Sequence, residues 1–529
     1  DAAGKTLTLR GTIDTPSIST DEHERLALIQ SGQGKNLTIN AGKLVLDAEQ
    51  STNGGKTYGM AIDGSTNSTH VTINGDVDVT STSKVKSSMG GAYGIWARGR
   101  AVIDIHGTVT MKKENGWAVD SDQNGFSFYG SGGILSTSAW GADLNQGATI
   151  NVDNVDLKVN GNGLWTNIGG GIINVNGGSV EVNPNNGVGY SALLAECGTV
   201  NMNVLKDAEG NVTGAGNNDV TIKGNVFAAT GAINDVDKGT YTSINLGLTN
   251  ERSSLTGVIW NGFRDEGNKN TTKLFYGRTN LWLSDGAQWH HESYGSVEVK
   301  DMNYYGDKFK GSVVSNFHGG SSEAHSGYIF QGTPSKNARK LGITFKNYNG
   351  YTIVFYNHDE TDPTQMIGGD ITIEKAAEGS GITLVTDSKG LTAGFSTSDK
   401  AADQNKVSEV LNKLAQKLFY TANDGHLAGT VKIADGLTAS SKSLKSGIIS
   451  FSSDSTGTKV KGQGFYEYEP ASDDVLTDPI TGGMDKKYVN IGVEKTQGHY
   501  DFAKDSTITV TAGQYASLIG TVDAVNGPV

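Results

Sequence analysis

Apolar residues recur along the first half of the chain in two kinds of phrase. The first alternates with a period of two: VTINGDVDV (71–79), AVIDIHGTVTM (101–111), ATINVDNVDLKV (148–159), GIINVNGGSVEV (171–182), GTVNMNV (198–204) and DVTIKGNVF (219–227). Alternation puts Val71, Ile73, Val77 and Val79 on one side of a strand and the intervening Thr, Asn and Asp residues on the other. The second phrase sets an aromatic or glycine corner before an apolar triplet: TYGMAI (57–62), AYGIWA (92–97), NGWAVD (115–120), NGLWTN (162–167) and GYSALL (189–194). Both meet in 161–182, where Leu164–Thr166, Ile172–Val175 and Ser179–Val182 are separated by Gly and Asn corners. So much Gly and β-branched content excludes helix. A three-part phrase that returns at intervals of roughly 20–45 residues reads as one coil of a solenoid with loops of variable length.

The pattern therefore predicts an all-β chain, a right-handed parallel β-helix (solenoid) with one amphipathic helix inserted near 403–423. Residues 1–48 are expected to form an N-terminal cap and first coils, with Asp21–Gln30 as the cap itself. Loop-decorated coils follow over 49–250, and the β-helix continues over 251–402. There LTGVI (255–259) returns as FKGSV (309–313), LAGTV (427–431) and LIGTV (518–522). Val407, Val410, Leu411, Leu414, Leu418 and Phe419 follow helical spacing, with Asp403 as N-cap and Asn423-Asp424-Gly425 as stop, so 403–424 is a helical insertion. It either docks on the side of the ladder or binds a partner. Residues 425–529 are expected to return to β-helix coils. At ~4.8 Å per rung and about 20–25 residues per coil, the body would be a rod on the order of 100 Å long.

Composition agrees with a thin, repeating core. Glycine supplies 73 of 529 residues and proline only 7, and apolar residues make up 36%. A net charge of −13 without a Lys/Arg run argues against nucleic acid and anionic membrane as partners. The lone Cys197 forms no internal disulfide and reads as an inert, buried thiol. No signal-like block opens the chain and no stretch of ~20 apolar residues occurs in it. The expectation is a soluble chain whose ladder is truncated at NGPV.

These phrases resemble the passenger domain of an adhesin-type autotransporter (type V secretion) of diderm bacteria. The residues that carry the resemblance are TINGDVDV with AYGIWA, then LTGVI followed by LWLSDGAQW, then Gly368–Ile373 with Gly379–Leu384 after NYNGYTIVFYNH (347–358). The block 403–441 and GFYEYEP (464–470) add to it. The resemblance implies a secreted β-helical rod at the cell surface, anchored by a C-terminal outer-membrane barrel that this chain does not include. It also implies a role in adhesion, aggregation or biofilm. Partners would be host or bacterial surface glycans or proteins, or further copies of the chain, and membrane would be met only through the barrel.

Chemistry is sparse. Asp76/Asp78 and Asp104 have the spacing of paired carboxylates, yet they sit among the Thr and Asn of an outer face. Asp473-Asp474 has no basic neighbour, and FHGGSSEAH (317–325) lacks the order of a Gly-His-Gly site. No G-D-S-G or G-x-S-x-G phrase, EF-hand loop or calcium repeat occurs. Neither a metal nor a cofactor is expected, and the chain is read as a binding protein rather than an enzyme. A β-helical polysaccharide lyase or hydrolase of the tailspike kind is the alternative. The candidate ligand-binding residues are Trp282, Trp289, His290, His291, Tyr294, Tyr304 and Tyr305, which crowd one region, with Arg98 and Arg100 as sites for acidic glycans. Leu281 and Leu283 flank Trp282, which predicts an outward indole. The competing reading has these rings stacked rung on rung.

Overall fold

A computed structural model describes residues 2–13, 25–32, 34–50, 56–83, 91–117, 132–137, 147–167, 171–184, 191–196, 198–229, 242–262, 277–294, 303–304, 307–309, 311–331, 341–358, 366–386, 409–411, 413–422, 424–433, 442–444, 447–454, 457–463, 465–470 and 487–490. The chain divides into two units. The first comprises Asp1–Asn357, Ile367–Thr383 and Phe419–Ala428, and the second His358–Met366, Leu384–Leu418 and Gly429–Val529.

The first unit is a parallel β-helix. Each coil supplies three stretches, and each stretch pairs in parallel with its counterpart one coil later. In the first stretch, Ile29, Met60, Ile95, Ile134, Leu164, Leu193, Val226 and Ile259 form one column. In the second, Ile39, Ile73, Ile105, Val152, Val175, Met202, Leu246, Leu281, Phe317 and Tyr348 do so. In the third, Leu157, Val180, Ile222, Leu255, Trp289, Ile329 and Val354 stack in the same way. Except for Ile39, the residues of these columns are buried in the core. The ladder crosses residue 250 without a break, because Ile244 pairs with Thr279 and Thr221 with Ser254.

The difference between the two sequence phrases has a packing cause. The second and third stretches bury one side and alternate. The first stretch is buried on both sides, so its apolar residues run together. Its outward column includes Trp165, Leu194, Phe227 and Trp260, all buried. Phe227 and Trp260 stack at 4.7 Å, and Phe309 meets Trp260 edge-on at 5.5 Å.

Four expectations change. Residues 25–30 are not a cap but part of the strand Arg25–Gly32, which pairs in parallel with Lys56–Asp63; residues 21–24 lie outside the described ones. The rung after AYGIWA is Gly132–Thr137 and not NGWAVD, whose Asn115–Trp117 end the preceding strand. The helix is shorter than 403–423. Residues 409–411 and 413–415 are helical, with Val410, Leu411, Leu414 and Ala415 buried and an ion pair between Lys413 and Glu409 at 2.9 Å. Leu418 and Phe419 instead belong to the strand Leu418–Tyr420, and Thr421 donates its N–H to the Ile373 carbonyl at 3.0 Å. Aromatic content favours strand there, and apolar spacing over so short a run suits either state. Asp403, Val407 and Asn423 lie outside the described residues.

The fourth change concerns 425–529. In the second unit, Gly429–Val431 pairs antiparallel with Gly447–Ile449, and Gly447–Asp454 pairs antiparallel with Gly457–Gln463. Strands separated by two residues can only return as a hairpin, since a parallel partner needs a long crossover. LIGTV (518–522) lies outside the described residues, as does Cys197.

Backbone proximity between coils makes one glycine indispensable. Gly178 stands between Val155 and Val220 in an inward column, at φ +110°, and a Cβ there would lie 1.9 Å from the Val155 carbonyl oxygen. Gly178→Ala is therefore expected to destabilise the unit by about 2 kcal/mol or more. Urea unfolding checks this, and an unchanged midpoint would remove the close approach from the account.

Candidate functional site

The outward side of the second stretch carries the most regular polar feature of the molecule. Asp104, Asn151, Asn174, Asn201, Asn245, Asn280, Asn316 and Asn347 occupy one register position on successive coils. Each amide donates from Nδ2 to the Oδ1 of the coil before it, at 2.7, 2.6, 2.8, 2.7, 2.5, 2.6 and 3.0 Å in order. All the bonds point the same way. The row ends on the Asp104 carboxylate, an acceptor-only group that also meets His70 Nε2 at 2.5 Å. At the other end Tyr348 donates its backbone N–H to Lys375, which places exposed Lys375 one coil beyond Asn347. An anion at the donor end and a cation at the acceptor end oppose the aligned amide dipoles.

A sequence signal for this ladder exists and escaped the first analysis. Asn precedes an inward apolar residue in Asn151-Val152, Asn174-Val175, Asn201-Met202, Asn245-Leu246, Asn280-Leu281, Asn316-Phe317 and Asn347-Tyr348. The repeat is hidden because the intervals between these pairs vary.

The aromatic cluster expected around 282–305 is divided among different environments. Trp282 faces outward as predicted, but its ring is stacked on His318 at 4.7 Å and 9°. On the other side its register partner is Gly247, where Asn203 O and Ala215 Cβ occupy the place of a side chain. Its faces are thus spent within the ladder. Trp289 points into the core, fully buried, and its Nε1 donates to the Gly257 carbonyl at 2.9 Å. His290 is outward and begins a stack with Phe330 at 4.9 Å, continued by Phe355 at 5.0 Å. Desolvation holds the His290 pKa below its usual value, with Glu292 acting against it.

His291 is buried between two polar side chains, with Nδ1 2.9 Å from Gln331 Oε1 and Nε2 2.8 Å from Ser312 Oγ. Ser312 Oγ also accepts the Ile259 N–H, which leaves its own proton for Nε2 and assigns the ring proton to Nδ1. Burial pushes the His291 pKa down to about 4, and the Gln331 bond offsets this only in part. Tyr294 is half-buried beside Asn225, whose Nδ2 reaches the Tyr294 carbonyl at 3.5 Å. Burial first, and then Glu181, raise its phenol to about 12. Tyr304 lies in the short strand Asn303–Tyr304 paired with Asp307–Lys308, and Tyr305 is outside the described residues.

Arg98 is ion-paired to Asp63 and lies 5.2 Å from the Trp96 ring centre, so its charge is already answered. Burial alone would raise the Asp63 pKa, but hydrogen bonds from Arg98 and Ser65 outweigh it and hold the carboxyl low. Arg100 is exposed, and its carbonyl accepts from Ser68 Oγ at 3.5 Å. The carboxylates considered for hydrolysis are similarly engaged. Asp78 meets Lys43 at 3.0 Å, Asp76 accepts the Thr108 N–H at 2.9 Å, and Asp104 ends the amide row. Among the described residues no group of three or more His, Cys, Asp or Glu side chains is arranged to hold a metal ion, and no helix is long and apolar enough to cross a membrane.

The buried histidine has a consequence for stability. An unfolded histidine titrates near 6.5, so between about pH 6.5 and 4 the unfolded chain binds a proton that the folded chain refuses. Stability is full above this window and falls through it by about 3 kcal/mol as pH drops. His290 and His318, also shifted down by desolvation, act in the same direction. Urea unfolding from pH 7 to 4 should show a steeper loss for wild type than for His291→Gln; equal slopes would contradict the assignment. Compared with protein-family models, curated proteins and solved structures, the chain matches none of them.

Proposed function

We propose that the chain is the exported passenger of a cell-surface autotransporter, held at the outer membrane in the full-length protein. It acts as an adhesin or an aggregation and biofilm factor by non-covalent binding along its β-helical faces. The motif resemblance brings the family to mind, and the outer faces of the ladder support the binding role. Charges there meet opposite charges across coils, as in Lys158 and Lys223 on either side of Glu181 at 3.4 and 3.3 Å. The observation that carries the reading is the amide ladder. It is a repeated, uncharged polar row whose end members Asn280 and Asn316 are part-exposed and Asn347 exposed. Repetition of weak sites suits multivalent attachment.

A polysaccharide lyase or hydrolase is the second reading, and the exposed His70–Asp104 pair is the observation in its favour. A glycan and matrix-protein array, scored for both retention and cleavage, separates the two. Saturable retention without product is expected. Shortened or unsaturated glycans, lost in Asp104→Asn, would replace the adhesin reading with the enzyme.

A further inference from the structure

The amide ladder is not uniformly open. Asn201 and Asn245 are 3% and 4% exposed, whereas the members on either side keep more contact with solvent. The cover is the hairpin formed by Val204–Lys206 and Val212–Ala215. It leaves the ladder at Asn203, just after Asn201-Met202. Its base fills the space beside Gly247, just after Asn245-Leu246, where an added Cβ would meet Asn203 O at 2.2 Å and Ala215 Cβ at 2.9 Å. From its first strand Lys206 reaches back along the ladder, and Nζ donates to Asn174 Oδ1 at 2.6 Å. That oxygen already accepts from Asn201, so the lysine has taken its second lone pair.

The hairpin is stiff in itself and lightly held at its tip. Asp207 Oδ1 accepts the backbone N–H groups of Glu209 and Asn211 at 3.1 and 2.7 Å, and Gly216 N–H closes the base on Asn203 O at 2.9 Å. Its contact with the amide row is the single Lys206 bond, and its far side leaves Leu205 56% exposed.

We propose that the amide ladder is a binding track for an uncharged, polyhydroxylated chain, a neutral glycan, and that the hairpin is a built-in strap occupying the middle of it. This rests on the adhesin reading and names its ligand class. Inside the row each amide spends one N–H and one lone pair on its neighbours and retains one of each. A hydroxyl group both donates and accepts, and it rotates to suit. Lys206 demonstrates that the remaining lone pair is accessible from the outer side. An extended peptide matches the track less well, since its groups repeat on ~3.3 Å steps with alternating direction against a rung spacing of ~4.8 Å. An anionic glycan would approach a chain of net charge −13.

The test excises 204–215 and joins Asn203 to Gly216, whose O and N are 2.9 Å apart, with Lys206→Ala as a milder variant. Circular dichroism and the urea midpoint report whether each variant keeps the fold. Probes are immobilised neutral gluco-, manno- and galacto-oligosaccharides, with heparin and oligolysine for comparison. Both variants should bind a neutral probe more tightly than wild type, by about tenfold, the scale of one charge-assisted hydrogen bond. Neutral-glycan binding that is equal in all three proteins would overturn the strap and leave the adhesin reading standing. A gain confined to oligolysine or heparin would overturn the ligand class. Absence of retention for every probe, together with no binding on the matrix-protein array, would remove both this inference and the reading beneath it.

Discussion

A parallel strand has no partner nearby in its own sequence, and the first unit of this protein is built around that constraint. Every coil must satisfy its backbone N–H and C=O groups on the next coil, tens of residues away. Parallel in-register pairing then stacks each side chain on the one a coil later. The chain answers with columns of like on like: aliphatic residues inward, rings on rings, amides on amides, and lysine beside glutamate. Where backbones approach most closely, as at Gly178, no side chain fits.

The same constraint decides which groups are left for function. An aromatic residue on an outer face would ordinarily suggest a platform for a sugar ring. In a ladder, however, the coil above and the coil below take the two faces of the ring. Trp282 between His318 and Gly247, and Phe330 between His290 and Phe355, are consumed in this way. Amides behave differently. A side-chain amide has two donors and two acceptor positions, so stacking uses half of its capacity and leaves half at the surface. The polar row is thus both a structural seam and the most accessible repeated chemistry of the first unit.

The architecture was legible because periodicity of two and recurring corners are local signals that survive variable loops. The outward orientation of Trp282 followed from Leu281 and Leu283 in the same manner. Trp289 was harder. It replaces Leu255 in a core column, and a tryptophan next to two histidines gives no sign of which side it takes until the register is known. The strand Leu418–Tyr420 was hidden because its residues continue the apolar spacing of the preceding helix. The hairpins after Gly429 carried LAGTV, a phrase shared with the ladder, although short connections pair them antiparallel. The amide row was readable in principle as seven Asn-apolar pairs, but only an alignment of coils against one another reveals them.

Cross-coil side-chain bonding is the central claim, and a double-mutant cycle between Asn201 and Asn245 tests it most directly. The two are 44 residues apart in sequence and joined by one hydrogen bond of 2.7 Å. Removing each amide singly and both together, by Asn→Ala, should give a coupling of about 1 kcal/mol or more in urea unfolding, since either single change leaves the other buried amide without its partner. Strictly additive effects would mean that the two amides do not bond across the coils, and the ladder would lose its place in the account.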